Sequence, residues 1–138
     1  FVAALAQMEA AMEIFRAQNQ GHLVAVSSVT AVRGMPGNVT TYAATKAGLA
    51  ALCEGLRVEL KKRRSPIRVT TLYPGYIRTE INEKVKNTPF IVDAQTGCRA
   101  MVKAIEAGKA EHFVPALPWA PLGFIIRRLP EAVLARMF

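Results

Sequence analysis

Residues 22–46 read HLVAVSSVTAVRGMPGNVTTYAATK, and the texture of the chain changes twice within them. His22 to Ser28 is a short apolar, β-rich run, the pattern of a strand buried on both faces. Val29 to Thr41 holds Gly34, Pro36, Gly37 and Asn38, which read as a loop. From Thr41 an Ala- and Leu-rich segment runs to about Arg63 and is closed by Ser65-Pro66, the pattern of a long helix.

Working outward, Phe1 to Gln18 carries Leu5, Met8, Met12 and Phe15 at helical spacing, and Asn19-Gln20-Gly21 stops that helix. Ile67 to Tyr73 reads as a second buried strand, and Pro74 to Pro89 as an irregular stretch. Asp93 is placed to cap a helix that reaches about Ala107 and stops at Gly108. Glu111 to Val114 is a short third strand. Pro115, Pro118 and Pro121 then open a tail with two short apolar helical stretches. Strands separated by helices of this length imply right-handed crossovers and a parallel sheet covered on both faces.

The 138 residues are 51% hydrophobic and 20% charged, a balance able to bury a core rather than remain disordered. The net charge of +8 draws much of its excess from Lys61-Lys62-Arg63-Arg64, with Arg127-Arg128 further on. A basic run of this kind suits a helix end, and no aromatic residues are interleaved with it as a nucleic-acid platform requires. Cys53 and Cys98 form no CxxC pair, and His22 and His112 stand alone, so neither a disulfide frame nor a metal site is expected. No apolar run approaches the ~18 residues of a membrane span. The composition thus suggests a reduced, intracellular, cytoplasmic protein. Phe1 already reads as mid-helix, as if the chain began inside a larger fold.

The chemistry gathers at Tyr42 and Lys46. A spacing of four places both on one helix face, about one turn apart. An ammonium beside a phenol favours the phenolate, so that tyrosine can serve as acid or base nearer neutrality. This helix follows a strand ending in Ser27-Ser28, and the next strand also ends at a marked turn, Pro74-Gly75-Tyr76-Ile77-Arg78-Thr79. In open parallel sheets ligands sit at the carboxyl ends of strands, where these segments converge.

The run VAVSSVTAVRGMPGNVTTYAATKAGLAALCEGLRVEL, followed by IRVTTLYPGYIRTEI, resembles the second half of a short-chain dehydrogenase/reductase, and the likeness extends from Phe1 to about Val114. The resemblance implies an α/β fold, a partial Rossmann-type doubly wound parallel sheet over residues 1–115, with an apolar extension over residues 116–138. It implies NAD or NADP as cofactor and a carbonyl or alcohol as small-molecule substrate. Tyr42 would give the proton in carbonyl reduction and take it in alcohol oxidation. Lys46 would hold the nicotinamide ribose, Tyr42 would also contact the cofactor, and Ser28 would hydrogen-bond the substrate oxygen. Pro74 and Gly75 would shape the wall beside the nicotinamide. Ile77 would contact the carboxamide through its backbone, and Thr79 would reach the carboxamide or pyrophosphate.

Ser28 lies one residue farther from Tyr42 than the family's usual spacing, which one extra residue in the Met35–Thr41 loop explains. Ser27 is the alternative serine, or a residue that only satisfies backbone groups at the strand end. The family's Gly-rich phosphate turn does not occur in the chain, and its catalytic asparagine would fall at or before Phe1. These residues alone are therefore expected to form an incomplete dinucleotide site and to be inactive. The first two helices resemble the pair that forms the family's homodimers and homotetramers.

Trp119, Phe124, Ile125 and Ile126, interspersed with Arg127 and Arg128, leave three readings of the tail: an interfacial membrane segment, a lid over an apolar pocket, or a packed extension. Similar tails in relatives acting on lipid-like or steroid-like molecules point to an apolar substrate. Two rival readings are a catalytically silent scaffold of the same fold and a peripheral membrane protein organised by residues 116–138.

Overall fold

A computed structural model of the chain describes residues 1–80 and 88–137. Residues 81–87 of the irregular stretch, and Phe138 of the tail, lie outside the described residues.

Helix α1 (Val2–Ala17) buries Met8 and Met12. It ends where Asn19 turns left-handed, with φ of 50°, a conformation that a short amide side chain tolerates. Strand β1 (His22–Val26) follows, then two 3-10 turns at Val29–Val32 and Gly37–Val39. Helix α2 (Thr40–Lys62) leads to strand β2 (Arg68–Pro74), helix α3 (Ala94–Glu106) and strand β3 (Glu111–Val114). Two tail helices complete the chain, α4 (Ala116–Ile126) and α5 (Glu131–Met137). The cap expected at Asp93 is formed: its carboxylate accepts from the Thr96 N–H at 2.8 Å. The Thr96 hydroxyl and amide together hold that carboxyl below its ordinary value.

The three strands are parallel in the order β1-β2-β3, with Val24 opposite Thr70 and Leu72 opposite His112. Side chains alternate between the two faces, and each face is covered by helix. On one, Ala25 and Val69 pack with Met8, Met12, Leu49 and Cys53 of α1 and α2. On the other, Leu72 and Val114 pack with Ala104 of α3, flanked by Val24, Ala100 and Met101. Burying such side chains supplies the main favourable term, about 1.5–3 kcal/mol for each large one.

One expectation fails in part. β1 is not buried on both faces along its length, because α3 packs over β2 and β3 and leaves Val26 at the sheet edge 47% exposed. β2, flanked on both sides, is buried from Val69 to Tyr73.

A polar tie joins α2 to β2 and β3. The Arg57 guanidinium donates to Thr71 Oγ1 at 2.8 Å, to the Ala110 carbonyl at 3.1 Å and to Glu111 Oε1 at 3.1 Å. Tyr73 Oη donates to the same Glu111 oxygen at 2.9 Å. Burial and the Glu111 carboxylate push the Tyr73 phenol up to about 12. Its ring stacks on Phe113 with 5.0 Å between centroids.

The tail folds back on this end of the sheet. Gly123 lets α4 approach closely, since a Cβ there would lie 2.9 Å from the Phe113 ring. Pro121 is tolerated inside α4 because Leu117, the residue to which its missing N–H would bond, is extended rather than helical. Among the described residues, no helix is long and apolar enough to cross a membrane.

Candidate active site

The start of α2 is anchored to the end of β1 by two reciprocal bonds. The Lys46 ammonium donates to the Val26 carbonyl at 2.8 Å, and Ser27 Oγ donates to the Lys46 carbonyl at 2.8 Å. Thr40 fixes the turn before the helix by donating to the carbonyls of Met35 and Gly37. Tyr42 and Lys46 are thereby held at the carboxyl end of the sheet, with Lys46 Nζ 5.7 Å from the centre of the Tyr42 ring. Tyr42 is 47% exposed. Among the described residues, no hydrogen bond joins its hydroxyl to Ser28 or to Lys46.

Ser28 is buried, and its Oγ accepts from the Thr30 amide at 3.2 Å and the Thr30 hydroxyl at 2.9 Å. Both bonds use the oxygen as acceptor, which leaves the serine proton for another partner. The two adjacent serines therefore differ in what they bond. Ser27 ties strand to helix, and Ser28 caps the short turn that opens the following loop.

The second strand end lies alongside. The Gly75 amide donates to the Val114 carbonyl at 2.8 Å, and Ile77 forms a bridge with Val92. Gly75 is packed against the tail: a Cβ at this position would lie 2.0 Å from Trp119 Nε1, so only glycine admits the indole here. Trp119 is buried, with Tyr76 and Phe90 set edge-on to it at 5.8 Å each, and its N–H has no partner among the described residues. Pro74 is the last residue of β2, and Thr79 follows the Ile77 bridge.

A cavity of about 170 Å³ is lined by residues that follow Ser28 and Gly75 in the chain. Val29, Thr30, Val32, Met35 and Val39 form one wall, and Trp119, Gly123 and Ile126 of α4 form another, with Tyr76 and Pro89 between them. Apart from Thr30, the Tyr76 hydroxyl and the Trp119 indole N–H, these side chains are apolar. The sequence offers the tail as a lid over an apolar pocket but does not mark the loop wall, where Val29, Val32, Met35 and Val39 recur every three to four residues.

Comparison with known proteins agrees with this fold. A family model described as short chain dehydrogenase matches residues 1–89. The chain is 47% identical over 135 residues to an uncharacterized oxidoreductase of Mycobacterium tuberculosis, covering 98% of this chain and 53% of that protein. It is similar to the crystal structure of a short chain dehydrogenase from Burkholderia cenocepacia in complex with NADP. That match has a TM-score of 0.79 and 26% identity over 100% of this chain and 55% of the other. A 4-hydroxyisoleucine dehydrogenase complexed with NADH matches with a TM-score of 0.52 and 28% identity, covering 60% and 33% of the two chains. The chain spans about half the length of the Mycobacterium tuberculosis relatives it matches.

Proposed function

This chain belongs to the short-chain dehydrogenase family, and we propose that it supplies the acid–base half of an NAD- or NADP-dependent oxidoreductase acting on an apolar carbonyl or alcohol. The observation that carries this reading is the reciprocal clamp between Lys46 and the end of β1. It seats the phenol-bearing turn of α2 beside the strand terminus that carries Ser28.

The residues present fit the nicotinamide end of a dinucleotide. An ammonium has three protons, and Lys46 uses one on Val26, which leaves two for a ribose diol. Val26 and Tyr42 are open to a ligand at the same sheet end. Pro74, Gly75 and Ile77 line the neighbouring strand end, and Thr79 follows them. A nicotinamide bound there would supply hydride-transfer chemistry at the substrate carbon.

The chain's own residues manage the oxygen. Ser28, its acceptor capacity used by Thr30, directs its proton to the substrate oxygen. Tyr42 delivers a proton to that oxygen during reduction and receives it during oxidation. The Lys46 cation stabilises the charge that develops on the phenol oxygen during transfer. The cavity lined by Val29 and Thr30, next in the chain to Ser28, accepts an apolar substituent.

On this reading residues 116–138 are an extension of the domain formed by residues 1–115, and α4 closes the substrate pocket. Exposed Val2 and Ile14 on α1 and Val58 on α2 support a homodimer or homotetramer through those helices. A second role for the tail is favoured by the exposed Phe124 and Ile125 beside Arg127 and Arg128, which suit an anionic membrane surface. Flotation of the full-length protein with anionic vesicles tests that role; equal flotation after removal of residues 116–138 would contradict it.

The test of the enzyme reading is nicotinamide oxidation by the full-length protein. NADH and NADPH would be offered with a panel of apolar ketones, and NAD and NADP with the matching alcohols. Turnover is expected with one cofactor. Failure to bind either cofactor would return the protein to the scaffold reading.

A further inference from the structure

We propose that Arg33 is a positioning residue that latches the tail helix over the apolar cavity, and so sets how tightly the site holds its apolar ligand. The proposal rests on the substrate pocket described above, but its primary measurement does not require turnover.

Arg33 lies in the loop between β1 and α2, between Val32 and Met35, which both line the cavity. Its side chain crosses to the other wall. One guanidinium nitrogen donates to the carbonyls of Ile126 at 3.3 Å and Arg127 at 3.2 Å, and to that of Leu129. These carbonyls stand at and just beyond the end of α4, where the last carbonyls of a helix have no partners within it. A cation is favoured there by the helix dipole, and bonds from a charged donor are stronger than neutral ones. Ile126, one of the three residues held, is itself a cavity wall.

The latch therefore joins the two walls of one cavity. Without it, α4 keeps its packing on β3 through Gly123 and Phe113 but loses its polar tie to the loop between β1 and α2. None of these bonds touches Tyr42, Lys46 or Gly75, so nicotinamide affinity is expected to be independent of the latch.

The test uses the full-length protein and the neutral apolar probe N-phenyl-1-naphthylamine. Arg33→Ala is expected to weaken probe binding about tenfold, the scale of losing charge-assisted bonds at one helix end. It is also expected to speed amide hydrogen exchange across residues 116–129. Arg33→Lys, which keeps a cation able to reach the same carbonyls, should restore most of both. In turnover the substrate KM should rise while kcat and the nicotinamide KM stay near wild type.

Unchanged probe affinity in Arg33→Ala overturns the proposal, whatever happens to thermal stability. Should that variant fail to fold, Arg33→Gln decides in its place: affinity about threefold weaker supports the latch, and unchanged affinity overturns it. A wild type that binds the probe but reduces no carbonyl would contradict the enzyme reading alone, while the latch would still be judged by the probe.

Discussion

The Lys46 ammonium bonds the Val26 carbonyl at 2.8 Å, fixing the first turns of α2 to the end of β1. This bond orients the ammonium, so replacing Lys46 should do more than remove a charge. In the full-length protein, Lys46→Met is expected to lower kcat/KM by at least about a hundredfold and to weaken nicotinamide binding. Lys46→Arg should recover little, because a planar guanidinium does not reproduce a compact three-proton donor. Steady-state kinetics and cofactor titration check both variants.

Gly75 and Trp119 occupy space that cannot hold another methyl group. Gly75→Ala would place a carbon 2.0 Å from the indole nitrogen, so the ring must move. A loss of about 1–3 kcal/mol is expected in urea denaturation, the usual scale of overpacking. Trp119→Leu in the same chain should shrink that penalty, since coupled neighbours are not additive. An equal penalty in both backgrounds would show that the contact does not govern the position.

Tyr73→Phe removes one bond, from the phenol to Glu111 at 2.9 Å, and keeps the stacking on Phe113. It should cost about 1 kcal/mol of stability. Arg57→Met removes three bonds at once and leaves Glu111 without its cation, so a larger loss of about 2–3 kcal/mol is expected. Equilibrium denaturation near neutral pH separates the two.

His22 should make stability depend on pH. Its Nε2 lies 2.8 Å from Thr70 Oγ1, and that hydroxyl donates to the Lys109 carbonyl, so the imidazole is the donor in the pair. Burial, followed by the Arg68 charge, lowers its pKa from 6.5. The folded state thus binds the proton less readily than the unfolded chain. This contribution is complete above the unfolded value and is lost as pH falls through the folded one. Denaturation midpoints should drop from about pH 7.5 to pH 5 more steeply in wild type than in His22→Gln. Equal slopes would contradict the assignment.

How much of this was legible beforehand depended on how local each cause is. Asp93 capping, the helix stop at Asn19-Gln20-Gly21 and the boundaries of β3 follow from chemistry within a few residues, and the expected elements agree with the observed ones. The 47% exposure of Val26 did not follow, because an alternating or continuous apolar run says nothing about which helix lies above it. The reach of Arg33 to Leu129 spans 96 residues, and the two cavity walls are nearly as far apart in the chain, separations that no local pattern encodes. The sequence marks Gly75 by its place at a strand end. That it meets the Trp119 indole depends on how the tail folds back, which spacing alone cannot give.

The central claim is that the Tyr42 phenol carries the proton. Its most direct test is Tyr42→Phe in the full-length protein, with kcat measured on the best carbonyl substrate and cofactor affinity measured by titration. The account predicts a fall in kcat of about 10²–10⁴-fold, the range of a lost general acid, with nicotinamide affinity changed little. A variant that turns over at the wild-type rate while binding cofactor normally would contradict it.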